Sequence, residues 1–165
     1  MVTKYDIFEF AYMNGHPVKP IEVAKNFKKG EGEYNNVHRM LTELMHEDLL
    51  IKSGYGFQVK KNNKANLLYQ IIFHCLNNGI NYNLLLNQGL ANFVSRALKK
   101  KEITSNDINL HSITLRKYID ILYENELVLI ISEKPLRIKV FYNVLLNNLL
   151  VYFGYKHKVI TEDKT

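Results

Sequence analysis

The side chains with the widest chemical range in this chain are six histidines and one cysteine, and their spacing brings few of them together. His38 and His46 stand more than two helical turns apart, too far for one metal, and belong on a surface. His74 lies in an apolar helical run beside Ile71, Ile72 and Cys75, the setting of a core histidine and not of a ligand. His111 precedes a helix and His157 sits in the polar tail, neither with a companion. Cys75, between Ile72 and Leu76, reads as small apolar filler; alone it can form neither an internal disulfide nor a thiolate zinc cluster. Gly54-Tyr55-Gly56 is a turn sequence, and no Gly-rich phosphate loop occurs. These patterns predict no catalytic residue, no metal and no cofactor, so the chain is not expected to be an enzyme.

Recognition chemistry is better represented. Asn35, Asn36, Arg39 and Thr42 lie with Glu43 and His46 on one side of a helix, opposite a stripe of Val37, Leu41, Leu44 and Asp48. A net charge of +6 and a pI near 9.2 permit attraction to a polyanion. The excess is diffuse, since residues 1–61 hold nine Lys/Arg against eight Asp/Glu. Eleven tyrosines could stack bases, but Tyr69, Tyr118 and Tyr123 fall at core-compatible helical positions and are read as core.

The elements that must position these residues follow from apolar spacing. A chain of 165 residues, 47% apolar, fits one ordinary domain or two small ones. No window of about 20 residues is apolar enough to span a bilayer, and the N-terminus lacks a signal peptide's apolar stretch, so a soluble cytoplasmic protein is expected. Thr3 is placed to cap a helix running to about Asn14, with Ile7, Phe8, Ala11 and Tyr12 inward and Gly15 at its end. After an extended His16-Pro17-Val18 link, Pro20 opens a short helix with Ile21, Val23, Ala24 and Phe27 at core spacing, ended by Lys28-Lys29-Gly30. The polar-faced helix follows from Glu33; then Leu49 to Lys52 and Phe57 to Lys61 form strands about the turn Ser53-Gly54-Tyr55-Gly56. Residues 62–66 mark a boundary, and Ala65 to Asn78 forms a helix through Leu68, Ile71, Ile72 and Cys75 that Gly79 ends. Asn81 to Gln88 reads as a connection. Leu90 to Lys101 reads as an amphipathic helix through Phe93, Val94, Ala97 and Leu98, with Lys99-Lys100-Lys101 complementing its C-terminal dipole.

The chain then repeats itself. Val37, Leu41, Leu44, Leu49 and Ile51 correspond, at one constant offset and without a gap, to Leu115, Ile119, Leu122, Leu127 and Leu129; Arg39, His38 and Asp48 correspond to Lys117, Arg116 and Glu126. Ile103 to Ile108 takes the place of the short helix and Ser112 is placed to cap the next, while Leu127 to Ile131 and Leu136 to Tyr142 flank the turn Ser132-Glu133-Lys134-Pro135. Asn143 to Phe153, with Val144, Leu145, Leu146, Leu149, Leu150, Tyr152 and Phe153, carries more apolar surface than one small domain covers. It is a candidate homodimer helix, or a bridge back to the first half. Tyr155 to Thr165 is polar and expected to fray.

The order helix, link, helix, turn, helix, hairpin over residues 3–61 resembles the winged helix-turn-helix superfamily, and residues 90–142 resemble a second, more divergent copy. The resemblance implies a mainly α fold with small β-hairpins: winged-helix domains at 1–62 and 90–142, a connecting helix and loop at 63–89, and a C-terminal helix and tail at 143–165. The connecting helix would pack between the two halves. In that superfamily the third helix enters the major groove and the wing touches the DNA backbone or minor groove. That implies base-edge contacts by Asn35, Asn36, Arg39 and Thr42 and phosphate contacts by Lys52, Tyr55 and Lys60, with Arg116, Lys117, Lys134, Arg137 and Lys139 at matching places in the second copy. The implied function is a transcriptional regulator binding double-stranded DNA, as a dimer on spaced half-sites. Glu31, Glu33 and Glu43 near the first reading helix, with Asp120 and Glu124 on the second, favour the alternative of a protein-interaction or regulatory module without DNA contact. A weaker resemblance is to the regulatory N-terminal regions that precede Fic-type nucleotide-transfer domains, which implies a fragment or stand-alone relative. The Fic catalytic His-Pro-Phe motif is not in the chain, since His16-Pro17-Val18 lacks the Gly-Asn-Gly continuation.

Overall fold

A computed structural model describes residues 2–27, 33–100, 102–107 and 110–155. The expectations for Lys28-Lys29-Gly30, Glu31, Lys101, Ile108, His157 and the tail after Tyr155 lie outside the described residues. Among these residues the chain combines eight α-helices with two small antiparallel sheets. It divides into two compact units, Met1–Phe73 and His74–Thr165.

In the first unit, the Thr3 hydroxyl accepts from the Asp6 N–H while the Asp6 carboxylate accepts from the Thr3 N–H at 2.8 Å, a capping box that starts α1 (Lys4–Asn14). Gly15, at φ 68°, ends it. Pro20 opens α2 (Pro20–Asn26), where its missing N–H costs nothing. The third helix, α3 (Tyr34–His46), buries Val37, Met40, Leu41 and Leu44 and packs on α1 and α2. Next, β1 (Leu50–Ser53) and β2 (Gly56–Val59) form the hairpin, whose two-residue turn is entered by Gly54 at φ 60°. The extended link joins it, because Val18 and Phe57 exchange two backbone hydrogen bonds of 2.8 Å. That approach leaves little room at Gly56, where a Cβ would lie 3.1 Å from both Pro17 Cβ and Val18 O. The division between units falls within α4 (Asn63–Asn77), which buries Ala65, Leu68, Ile71, Ile72 and Cys75 completely.

In the second unit a four-residue helix, α5 (Tyr82–Leu85), capped by Asn81, occupies the segment expected to be a plain connection. It forms because Tyr82 and Leu85 can be buried one turn apart. The amphipathic helix is α6 (Gln88–Ala97), capped by Asn87. There follow β3 (Ile103–Thr104), one 3-10 turn (Ser105–Asp107) and α7 (Ser112–Glu124). His111, not Ser112, caps α7, its Nδ1 accepting from the Ile113 N–H at 3.3 Å; Ser112 is already helical. A hairpin of β4 (Val128–Glu133) and β5 (Leu136–Val140) pairs through β5 with β3, and a register shift between Ile130 and Ser132 interrupts its ladder. Finally α8 (Val144–Tyr152), capped by Asn143, packs on α6. Its Leu145, Leu146, Leu149 and Leu150 are at most 1% exposed within the chain, while Val144 and Val151 face outward.

The two units share one frame, down to individual hydrogen bonds. In each, the second residue after the main helix adopts the left-handed conformation, Asp48 at φ 66° and Glu126 at φ 60°. Asp48 N–H donates to Met45 O and Leu49 N–H to Leu44 O; Glu126 donates to Tyr123 and Leu127 to Leu122 in the same pattern, a Schellman ending without its usual glycine. Lys60 N–H then donates to Leu49 O as Phe141 N–H does to Leu127 O, both at 2.9 Å. Two residues later an asparagine caps the next helix in both units, Asn62 accepting from Ala65 at 2.8 Å and Asn143 from Leu146 at 2.7 Å.

Several residues lie elsewhere than their spacing predicts. Asp48 is past the end of α3 and not on its stripe. Ile51 and Leu129 are each 49% exposed, because Leu50 and Val128 take the inward side and strand alternation turns the next residue out. Ile21 and Tyr123 are exposed, while Tyr12, Tyr69 and His74 are half-buried.

Candidate nucleic-acid interface

The outward face of α3 carries Asn35, Asn36 and Arg39, all exposed, with Thr42 half-buried beyond them. Burial of Val37, Met40, Leu41 and Leu44 fixes the rotation of the helix and so aims this face at solvent. Arg39 is held on its own helix by two partners: Nη1 pairs with Glu43, and Nη2 donates to Asn36 Oδ1 at 2.7 Å. The Thr42 hydroxyl donates to His38 O at 2.9 Å, which leaves it able only to accept. His38 packs edge-on to Phe57, with ring centroids 6.1 Å apart, and links α3 to the hairpin. On the hairpin Lys52 is exposed, with no ion pair among the described residues, and Tyr55 stands at the tip, 89% exposed. Lys60 pairs with Asp48, whose carbonyl accepts from Asn62 Nδ2 at 2.7 Å; the hairpin is thereby tied to the end of α3.

In the second unit Arg116 Nε lies 3.2 Å from Asp120 and its Nη1 4.0 Å from Glu133, and Arg137 pairs with Glu102. Lys117, Lys134 and Lys139 are exposed, with no ion pair among the described residues. Exposed pairs of this kind are worth only ~0–1 kcal/mol, so a phosphate could displace the carboxylates at little cost. Pairing therefore orients these cations without silencing them. Apolar residues stand among them: Ile113 is 73% exposed, and Leu129, Ile131 and Phe141 emerge from the hairpin. An open groove of about 580 Å³ runs along α7, bounded by Leu84, Ile113 and Ile121 and by Arg116, Lys117, Asp120 and Glu124.

Lys100 and the Thr104 N–H, each 2.8 Å from the Asp107 carboxylate, hold its pKa down to about 2, so Lys100 of the lysine run is engaged in closing the β3 turn. Burial pushes the Cys75 thiol up to about 11. Among the described residues no three of His, Cys, Asp and Glu gather to hold a metal, and no helix is long and apolar enough to cross a membrane.

The residues expected to read bases do share one helix face, and those expected at phosphates lie on the adjoining hairpin. The apolar prominence of Ile113 was not anticipated, although the offset that relates the units identifies it: Ile113 stands where the first unit has Asn35. No family model, curated protein or solved structure matches the chain.

Proposed function

We propose that the chain is a tandem winged helix-turn-helix protein whose first unit binds duplex DNA through α3 and the β1–β2 hairpin, in the manner of a transcriptional regulator. The observation that carries this reading is the contrast between matched positions on the two outward helix faces. Asn35, Asn36, Arg39 and Thr42 in the first unit stand where the second has Ile113, Thr114, Lys117 and Asp120. Paired amide and guanidinium donors suit the edges of adenine and guanine in the major groove. An isoleucine and a carboxylate at the same places do not suit a phosphate-lined groove.

Titration of duplex DNA at two salt concentrations tests the reading. With phosphate contacts from Lys52 and Lys60 the log–log salt slope is about −2, and Arg39→Ala, which removes a base-edge contact, weakens binding by roughly 5- to 100-fold. Absent or salt-insensitive binding refutes it. A second reading, a protein-interaction module, is favoured specifically for the second unit by Ile113 and by the outward Leu129, Ile131 and Phe141. Under the proposed assignment Arg116→Ala leaves DNA affinity within about twofold.

A further inference from the structure

Between the C-terminal end of α1 and the junction of β2 with α4, the first unit holds a cleft of about 430 Å³, within the range of small-ligand sites. We propose that this cleft binds a nucleoside monophosphate, with Lys61, Lys60 and His16 toward the phosphate and Tyr12, Gln58 and Asn66 toward the base. The inference does not depend on DNA binding by α3.

The first support is electrostatic. Every ionisable wall group other than Tyr12 is a lysine or a histidine, and no carboxylate lines the cleft. Two depressions in the second unit differ from it: the groove along α7 includes Asp120 and Glu124, and the cleft near His74 includes Glu124 and Glu126. Lys60 shares its charge with Asp48, but Lys61 is exposed, with no ion pair among the described residues. An uncompensated lysine beside a histidine and two amides is a donor set for a phosphate, which offers only acceptors when fully ionised. The second support is geometric. Tyr12 is stacked on Tyr69 with centroids 3.7 Å apart and planes 7° from parallel, and Tyr69 stacks in turn on Phe73, so the aromatic wall is set before any ligand arrives. The ring of His16 is also placed, its Nδ1–H donating to Pro17 O at 3.0 Å, so that Nε2 donates to a phosphate in the imidazolium form. An aromatic ring, two amides, two lysines and a histidine on one cleft wall supply the stacking surface and the donors that a base joined to a phosphate needs.

Isothermal titration of the full chain at low salt with adenosine monophosphate, inorganic phosphate and adenosine, each to ~10 mM, tests the proposal. Saturable binding of the nucleotide is expected, about tenfold tighter than inorganic phosphate because the base adds stacking, with adenosine alone weaker than either. Lys61→Gln, a change at an exposed position that leaves the fold intact, weakens nucleotide binding about tenfold; Tyr12→Leu removes the preference over inorganic phosphate. Arg39→Ala leaves nucleotide binding unchanged while lowering DNA affinity, which separates this site from the α3 face. No saturable nucleotide binding overturns the proposal, as does binding that is indifferent to Lys61→Gln. Equal affinity for nucleotide and inorganic phosphate overturns the base half of the assignment, and with it the ligand class.

Discussion

Replacing Gly89 by alanine should destabilise the second unit, although a count of helix propensities says the opposite. Gly89 is the second residue of α6, and alanine in a helix is favoured over glycine by up to ~1 kcal/mol. Against this, a Cβ at Gly89 would lie 2.1 Å from the Tyr118 hydroxyl oxygen and 3.2 Å from Cζ, where ordinary contact begins near 3.4 Å. The phenol must therefore retreat by more than 1 Å. It has little room, because Tyr118 is 9% exposed and its ring lies against Phe93, centroids 5.9 Å apart. Overpacking of this kind costs ~1–3 kcal/mol, which set against the propensity gain leaves a net loss of up to about 2 kcal/mol. For a unit of this size the melting temperature should fall by roughly 4–8 °C per kcal/mol. Far-ultraviolet circular dichroism during thermal and urea unfolding reads this directly. Tyr118→Phe removes the offending oxygen, so the double variant should regain most of the loss. If Gly89→Ala alone raises the melting temperature, or if Tyr118→Phe brings no relief, Tyr118 is not fixed over Gly89 and the packing between α6 and α7 is wrongly described.

Other expectations follow from the shared frame and from the perturbed groups. Glu126→Gly should stabilise by about 0.5–1 kcal/mol, since it relieves a left-handed residue whose side chain is exposed. Asp48→Gly should gain little, because it also loses the Lys60 pair and the contact with Asn62; a shift in urea midpoint distinguishes the two. Cys75, with a pKa near 11, should react with an aromatic disulfide reagent at pH 8 about 100-fold more slowly in the native protein than in urea; equal rates would contradict its burial. The Asp107 carboxyl is depressed to about 2 from 3.8, so the stability it lends is complete above about pH 4 and is lost as pH falls toward 2. Carbon-13 titration should place its midpoint there, and Lys100→Gln should move that midpoint upward.

The frame was legible in the sequence because it rests on buried apolar residues at helical spacing and on small capping groups. Thr3, Gly15 and Gly79 bound their helices as their chemistry requires, and the offset relating Val37 to Leu115 marks equivalent core positions. What the sequence obscured were choices settled by tertiary pairing. Ile51 and Leu129 match one another and are apolar, which reads as core. Only the hairpin register, Ile51 opposite Gln58 and Leu129 opposite Lys139, shows that they face out. Asn62 lay inside a polar stretch read as a boundary, yet its position relative to Lys60 is that of Asn143 relative to Phe141, and both cap helices. The site was legible as a helix face, but not the state of its charges. That Arg39, Lys60, Arg116 and Arg137 each meet a carboxylate depends on side-chain reach, and for Lys60 and Arg137 on partners 12 and 35 residues away.

Two copies of one frame with different outward residues argue for different roles. Were both units held to a single contact chemistry, the exposed positions would resemble one another at least as closely as the buried ones, since both would be constrained. Instead the buried positions keep their character, Val37 with Leu115, Leu41 with Ile119 and Leu44 with Leu122, while exposed Asn35 gives way to Ile113 and half-buried Thr42 to an exposed Asp120. Exposed isoleucine is not needed for packing, and at 73% exposure Ile113 gains nothing from the fold itself. Ile113→Asn, which restores the first unit's residue, should therefore leave stability within about 0.5 kcal/mol. If the substitution destabilises the unit markedly, Ile113 belongs to the core, and the contrast between the two faces loses its meaning.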